Sequence, residues 1–204
     1  HTAVFGAAFP NHNVISGNND NGINVNSENV QVEGNLIGLN KNQNAIIANG
    51  SDGVLVNANN VIIGGANINI IAGNIGSGIT LNNVIGCDID RCLIGTNSLS
   101  TPGLGNGLYG IYMASGNDHD VGINAGNTIV GHTAGGYAGI RLDGTSGTWL
   151  QNNLIGITSS NVIIPNQKGI QLINGASTNV IGEVLATNRN VISGNIEAGV
   201  DIEG

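Results

Sequence analysis

The sequence predicts an all-β fold: a right-handed parallel β-helix of about seven coils, forming one domain over residues 1–204. Each coil takes roughly 30 residues and carries three short strands. Three observations lead there. Gly followed by Ile or Val, any residue and an aliphatic recurs seven times, starting at Gly22, Gly53, Gly78, Gly110, Gly139, Gly169 and Gly199. The separations are 31, 25, 32, 29, 30 and 30 residues, inside the range that marks solenoids. Asn stands four residues before the Gly at Asn18, Asn49, Asn74, Asn106 and Asn195, which fixes the register. Apolar residues alternate with polar ones over four to six positions, as in Asn29-Val30-Gln31-Val32-Glu33, and nowhere follow helical spacing for ten or more.

The strands follow from that register. The first is the Gly-Ile strand, whose aliphatics Ile23, Val54, Ile79, Ile111, Ile140, Ile170 and Val200 are expected to stack inside. The second is read as residues 30–37 and the third as residues 14–18, with Asn, Gly, Ser and Thr supplying the turns between them. Pro10, Pro102 and Pro165 read as turn positions. Strands joined this way and paired in parallel from coil to coil are expected to wind right-handed. Units come in two alternating kinds. One carries Leu36-Ile37-Gly38, Leu93-Ile94-Gly95 or Leu154-Ile155-Gly156 after the second strand. The other carries Ile63-Gly64-Gly65, Val121-Gly122 or Ile181-Gly182, and runs on to phrases such as Ile70-Ile71-Ala72-Gly73-Asn74 or Val191-Ile192-Ser193-Gly194-Asn195. Residues 2–18 read as the later strands of a unit whose first strand is missing, and residues 199–204 as a first strand without the rest of its coil. The chain is therefore read as a fragment truncated at both ends, whose uncapped coils would associate end to end.

These repeats resemble parallel β-helices of the pectate-lyase-like superfamily over essentially the whole chain. The phrase Asn-Val-Ile-Ser-Gly-Asn, at residues 13–18 and 190–195, resembles repeats of large secreted or surface-attached bacterial proteins. The resemblance implies fold and an extracellular or cell-surface location; it implies no single activity, because this fold hosts lyases, hydrolases, epimerases, adhesins and stalks.

Composition narrows the classes. Apolar residues make up 40% but aromatics only 3%, so the core is a stack of Ile, Val and Leu. Net charge is −8 and the only basic residues are Lys41, Arg91, Arg141, Lys168 and Arg189, with no cluster. That excludes nucleic acid as a natural partner. No apolar run approaches the roughly 18 residues of a membrane span.

Repeat alignment places Cys87 at the inward position of Val30 and Cys92 at the corner position of Asn35. Two buried free thiols are expected, since five residues along one strand do not bridge without bending the backbone. Asn at the same corner of successive coils is expected to stack its amides and bond the turn backbone, with Cys92 and His132 substituting in these columns.

Chemistry must lie on outward side chains. The outward column of the first strand runs Asn24, Leu55, Thr80, Tyr112, Arg141, Gln171, Asp201, and the next runs Asn26, Asn57, Asn82, Ala114, Asp143, Ile173, Glu203. Only Tyr112, Arg141 and Asp143 cluster, with the Asn117-Asp118-His119-Asp120 loop a few residues on. Tyr112, His119, Arg141 and Asp143 are therefore the catalytic candidates, since such groups neutralise a uronate and abstract its C5 proton. The Tyr-Gly…Asp-Pro-His-Asp phrase of uronate epimerases is approached only loosely: Tyr109-Gly110 lies nine residues before Asp118 and the Pro is absent. No cofactor motif is present. Asp118, Asp120 and Asp143 would give Ca²⁺ only part of its oxygen set. Trp149, outward in the column of Gln31 and Asp88, is a ligand-binding candidate for stacking on a sugar ring, with Tyr137 expected on the neighbouring coil. The preferred expectation is a non-catalytic extracellular segment: a stalk, an adhesin or a surface contacting polysaccharide or a cell-surface partner. The alternative is a polysaccharide lyase or uronate epimerase.

Overall fold

Strands of two to six residues bury an apolar face only against copies of themselves one coil away. In the computed structural model, which describes Val4–Phe5 and residues 12–204, this produces three parallel sheets of seven strands each. The first sheet holds the Gly-Ile strands: Ile23–Val25, Val54–Val56, Ile79–Asn82, Ile111–Ala114, Ala138–Asp143, Lys168–Ile173 and Val200–Ile202. The second begins with Val4–Phe5 and Gln31–Val32 and continues through Asp88–Ile89, Asp120–Val121 and Trp149–Leu150. The third contains Asn13–Ile15, Asn35–Ile37, Asn69–Ile71, Cys92–Ile94, Thr128–Ile129, Leu154–Ile155 and Val191–Ile192. The expected register holds: Ile111 pairs with Ile79 and Ile140, and Tyr112 with Thr80 and Arg141.

Several expectations need correction or limits. The solenoid makes about six turns, because seven repeats bound six intervals. Residues 30–37 are two strands, Gln31–Val32 and Asn35–Ile37, since the chain turns a corner at Gly34 in the left-handed region (φ 67°). The segments read as separate third strands share one sheet with Leu36-Ile37: Val14 pairs with Leu36, and Leu36 with Ile70. The two kinds of unit therefore differ in their connections: the Gly64, Gly122 and Gly182 kind has the longer link between the second and third strands, and the Leu-Ile-Gly kind the longer link after the third. There the Leu-Ile-Gly kind inserts an excursion over that sheet, closed by antiparallel bridges Leu39 to Ile46 and Ile157 to Ile163. Val200 is 40% exposed, because its strand pairs on one side only. Pro10 and most of residues 2–11 lie outside the described residues.

Aliphatic columns fill the interior, among them Val32, Ile63, Ile89, Val121 and Leu150 from the second sheet and Ile37, Ile71, Ile94, Ile129 and Ile155 from the third. Leu36, Leu39, Ile70, Ala72 and Leu104 form a second cluster outside the third sheet, beneath the excursions. Cys87 and Cys92 are both free and buried.

Two polar seams run through this interior. At the corner before the first sheet, Asn18, Asn49, Asn74, Asn106, His132, Asn166 and Asn195 form a continuous ladder. Each Asn Nδ2 donates to the next Oδ1 at 2.8–3.1 Å in the Asn-to-Asn steps. The same amides reach back to a strand-end carbonyl of the previous coil, as Asn49 does to Ile15 O at 3.1 Å. Rungs such as Asn49, Asn106 and Asn166 thereby tie three coils and satisfy backbone groups the corner would otherwise strand. The repeat Gly exists for this seam. A Cβ on Gly53 would lie 2.6 Å from Gly78 O and 2.9 Å from Asn74 Nδ2, so only a bare Cα lets the next amide in. A second ladder joins Asn13, Asn35, Asn69, Cys92, Asn127, Asn153 and Asn190 between the second and third sheets. There the Cys92 thiol is a weak rung, 3.9 Å from Asn69 Nδ2, and burial pushes its pKa up to about 12.

His132 holds its place in one tautomer. The Asn106 amide donates to Nε2 at 3.2 Å, and Nδ1–H donates to Asn166 Oδ1 at 2.9 Å. A second proton on Nε2 would face a donor, and burial pushes the imidazole down to about 4. In the unfolded chain it titrates near 6.5, so the unfolded state takes up the proton first. Stability is intact above about 6.5 and falls as pH drops towards 4, by about 3 kcal/mol in all from this group. His132→Asn, which restores the common rung, should match the parent at neutral pH and unfold at higher urea at about pH 5. Parallel acid-limb urea titrations check this; equal loss in both proteins would refute it.

Candidate functional site: a tyrosine cluster around Arg141

Parallel register places Tyr112, Arg141, Gln171 and Asp201 side by side on four successive coils of the first sheet, all pointing outward. Asp143 stands in the next outward column. Two further tyrosines join them from the turns that lead into this sheet, Tyr109 just before Gly110 and Tyr137 just before Ala138. All three tyrosines of the chain are thus gathered on one face.

Their geometry is specific. Tyr109 and Tyr112 stack with centroids 5.2 Å apart, and Tyr137 meets Tyr109 edge-on at 4.8 Å. The Arg141 guanidinium lies 5.2 Å from the Tyr109 centroid and 5.9 Å from that of Tyr112, within cation–π range. It donates to Tyr109 Oη at 2.8 Å, Asp143 Oδ2 at 3.0 Å and Gln171 Oε1 at 3.3 Å. Its Nε is buried and has no hydrogen-bond partner among the described residues. Asp143 also accepts from Tyr112 Oη at 3.3 Å and Asn174 Nδ2 at 2.7 Å. Partial burial alone would raise the Asp143 carboxyl; the Asn174 amide and the Arg141 guanidinium outweigh it and hold the group below its usual value. Burial, then the Asp143 charge, pushes the Tyr112 phenol up, and burial does the same to Tyr109. Lys168 continues the charged surface, paired with Asp201 and, at 3.5 Å, with Glu203.

The other candidates lie elsewhere. His119 is fully buried. It occupies the inward corner column of Cys87, where its Nδ1 accepts from Cys87 N–H at 3.3 Å. Alternation in the Asp120–Val121 strand sends Asp120 outward and the preceding residue in, so His119 cannot line a groove with Tyr112. Burial pushes its pKa down to about 4, and its Nε2 finds no partner among the described residues. Tyr137 packs on Tyr109 and so belongs to the first sheet, not beside Trp149. Trp149 is 39% exposed on the outer face of the second sheet, in register with Asp120, itself beside Asp88. Asp118, Asp120 and Asp143 do not converge: Asp120 is on the second sheet, Asp143 on the first, and Asp118 bonds Asn117 at 2.7 Å. Among the described residues no three His, Cys, Asp or Glu side chains are gathered for a metal ion.

The site candidates expected from sequence do not include Tyr109, Gln171 or Asn174. Tyr109 carried a signal nonetheless, standing three residues before Tyr112 across the invariant repeat Gly.

Comparison with family models, with curated proteins and with solved structures finds no match to this chain. Among the described residues no helix is long and apolar enough to cross a membrane.

Asp88 is strained electrostatically: desolvation first, then the charges of Asp120 and Asp90, raise its pKa to about 6. Its charged form therefore weakens the fold above about 6, and the penalty fades as pH falls towards the unfolded value near 3.9. Asp88→Asn should show a higher urea midpoint than the parent at alkaline pH, the two curves merging at about pH 4. A constant difference across that range would mean that the charge is not responsible.

Proposed function

We propose that this chain is a non-catalytic β-solenoid segment of an extracellular or cell-surface protein, allied to the pectate-lyase-like β-helices, and that the tyrosine face of its first sheet contacts carbohydrate. The observation that carries this reading is the convergence of all three tyrosines on Arg141 in a chain with only 3% aromatics. Phenol rings offer flat apolar area to the C–H face of a sugar at small entropic cost. Arg141, Asp143, Gln171 and Asn174 sit around them as donors and acceptors for hydroxyl groups. Their mutual hydrogen bonds hold the array in place before any ligand arrives, which lowers the cost of binding.

Catalysis on an acidic polysaccharide is the weaker reading, for reasons of chemistry. A lyase or epimerase needs a base at the surface, and His119 is turned into the core. Tyr112 is an unfavourable base because its phenol is raised and already donates to Asp143. Arg141, the cation that would neutralise a uronate, is paired with Asp143 at 3.0 Å.

Calorimetric titration with oligosaccharides of alginate, pectin and a neutral glucan tests the reading. Binding by at least one is expected, weakened about tenfold by Tyr109→Ala or Tyr112→Ala, the loss of about 1.4 kcal/mol that one stacked ring contributes. Trp149→Ala serves as a control on another face. Absence of binding, or affinities indifferent to both tyrosines, would discard it. Release of unsaturated uronates, or deuterium uptake at C5, would favour the enzymatic alternative.

A further inference from the structure

A concave site lies on the outside of the third sheet, a face separate from the tyrosine cluster. Ile70 and Leu93, neighbours in register, form its floor, and Ile68, Asn67 and Ser98 its walls, enclosing about 360 Å³. That volume falls within the span of small-molecule pockets. Two excursions fix the surroundings. Gln43 accepts from Asn97 Nδ2 through its backbone carbonyl at 2.8 Å, and from Ser98 Oγ through its side chain at 2.8 Å. Asn97 Oδ1 in turn accepts from the backbone N–H of Leu99 and Thr101. The wall carrying Ser98 is therefore preformed.

Arg91 stands at the rim of this pocket, and two features set it apart. It is in the left-handed region (φ 50°), at the corner residue directly before the second ladder, where other coils use Gly34 (φ 67°) and Asn152 (φ 57°). An Arg there is unfavourable for the backbone, which Gly or Asn would relieve. Among the described residues its guanidinium has no hydrogen bond or ion pair, whereas Arg141 and Lys168 are both paired with carboxylates. The adjacent Asp90 forms no ion pair with it; that carboxylate accepts from the Asn124 side chain at 2.8 Å. Glu33 is likewise engaged, accepting from Asn67 N–H at 3.1 Å.

We propose that this pocket binds a small organic carboxylate, its apolar body on Ile70 and Leu93 and its carboxylate on Arg91. An unpaired guanidinium beside the apolar side chains Ile70 and Leu93 selects an anion with a hydrophobic part over a neutral lipid or a sugar. The reading is independent of the tyrosine face, and either can fail alone.

Fluorescence titration with anilinonaphthalene sulfonate, an aromatic anion, tests it, with octanoate as competitor and octanol as the uncharged counterpart. One saturable site per chain is expected, displaced by octanoate and not by equal octanol. Arg91→Gly suits the positive φ, so its unfolding midpoint should be equal or higher, while dye affinity falls at least about tenfold. Arg91→Gln is the second neutral variant. Equal displacement by octanol, no saturable site, or full affinity in both variants would overturn the proposal.

Discussion

The stacked corner amide is the interaction on which the rest of this structure depends. A coil of short strands leaves backbone donors and acceptors stranded wherever the chain turns, and those turns face a dry aliphatic interior. One side-chain amide, repeated at the same corner of each coil, meets that demand with two donors and a doubly used acceptor. It bonds the coil behind and the coil ahead, so its contribution is shared and each bond polarises its neighbours. The repeat Gly is a consequence, since Gly22, Gly53 and Gly78 each leave the room that the next amide fills. Substitutions that keep the bonding survive: His132 does so as a single tautomer, and Cys92 does so more weakly.

Much of this was legible in the sequence, because a solenoid writes its register as periodicity. The outward neighbours Tyr112, Arg141 and Gln171 follow directly from counting between glycines. Other features were hidden, each for a physical reason. The corner at Gly34 interrupts residues 30–37 without interrupting their alternation, so two strands read as one. Asn166 and His132 fall off the four-residue spacing because their coils carry loops of different length before the first sheet, although both are full rungs. The charged neighbours of His119 suggest an outside position, while strand parity, with Asp120 aligned on Asp88, puts it inside beside Cys87. Distance along the chain sets Tyr137 near Trp149, yet Tyr109 claims it, because a turn brings the two rings together.

The fold also separates duties among its faces. On the first sheet a ligand meets Tyr112, Arg141, Gln171 and Asp201 as an outward row at the coil spacing, suited to a polymer. The third sheet is overlaid by the excursions, which bury Leu36, Leu39, Ile70, Ala72 and Leu104 and leave a hollow beside them. Both surfaces arise from the same repeat, and the hollow is framed by the link before the Asn69–Ile71 strand and by the excursion that carries Ser98. Insertion after the third strand costs the ladders nothing, because the amide resumes its position once the excursion closes.

From rung to rung, the side-chain bonds of the first seam run in one sense. Asn18 gives to Asn49, Asn49 to Asn74 and Asn74 to Asn106, and His132 keeps the sense by giving from Nδ1 to Asn166. The second seam runs the same way, from Asn13 to Asn35 and from Asn127 through Asn153 to Asn190, but is broken at Cys92, whose thiol points to Asp90 O and Ile63 O while only its backbone N–H reaches Asn127. The amide dipoles therefore add along the axis instead of cancelling. A coil turned end over end would set donor against donor, so the seams work as a one-way thread. They admit each neighbouring coil in a single orientation and give the rod an electrical direction that its net charge does not reveal.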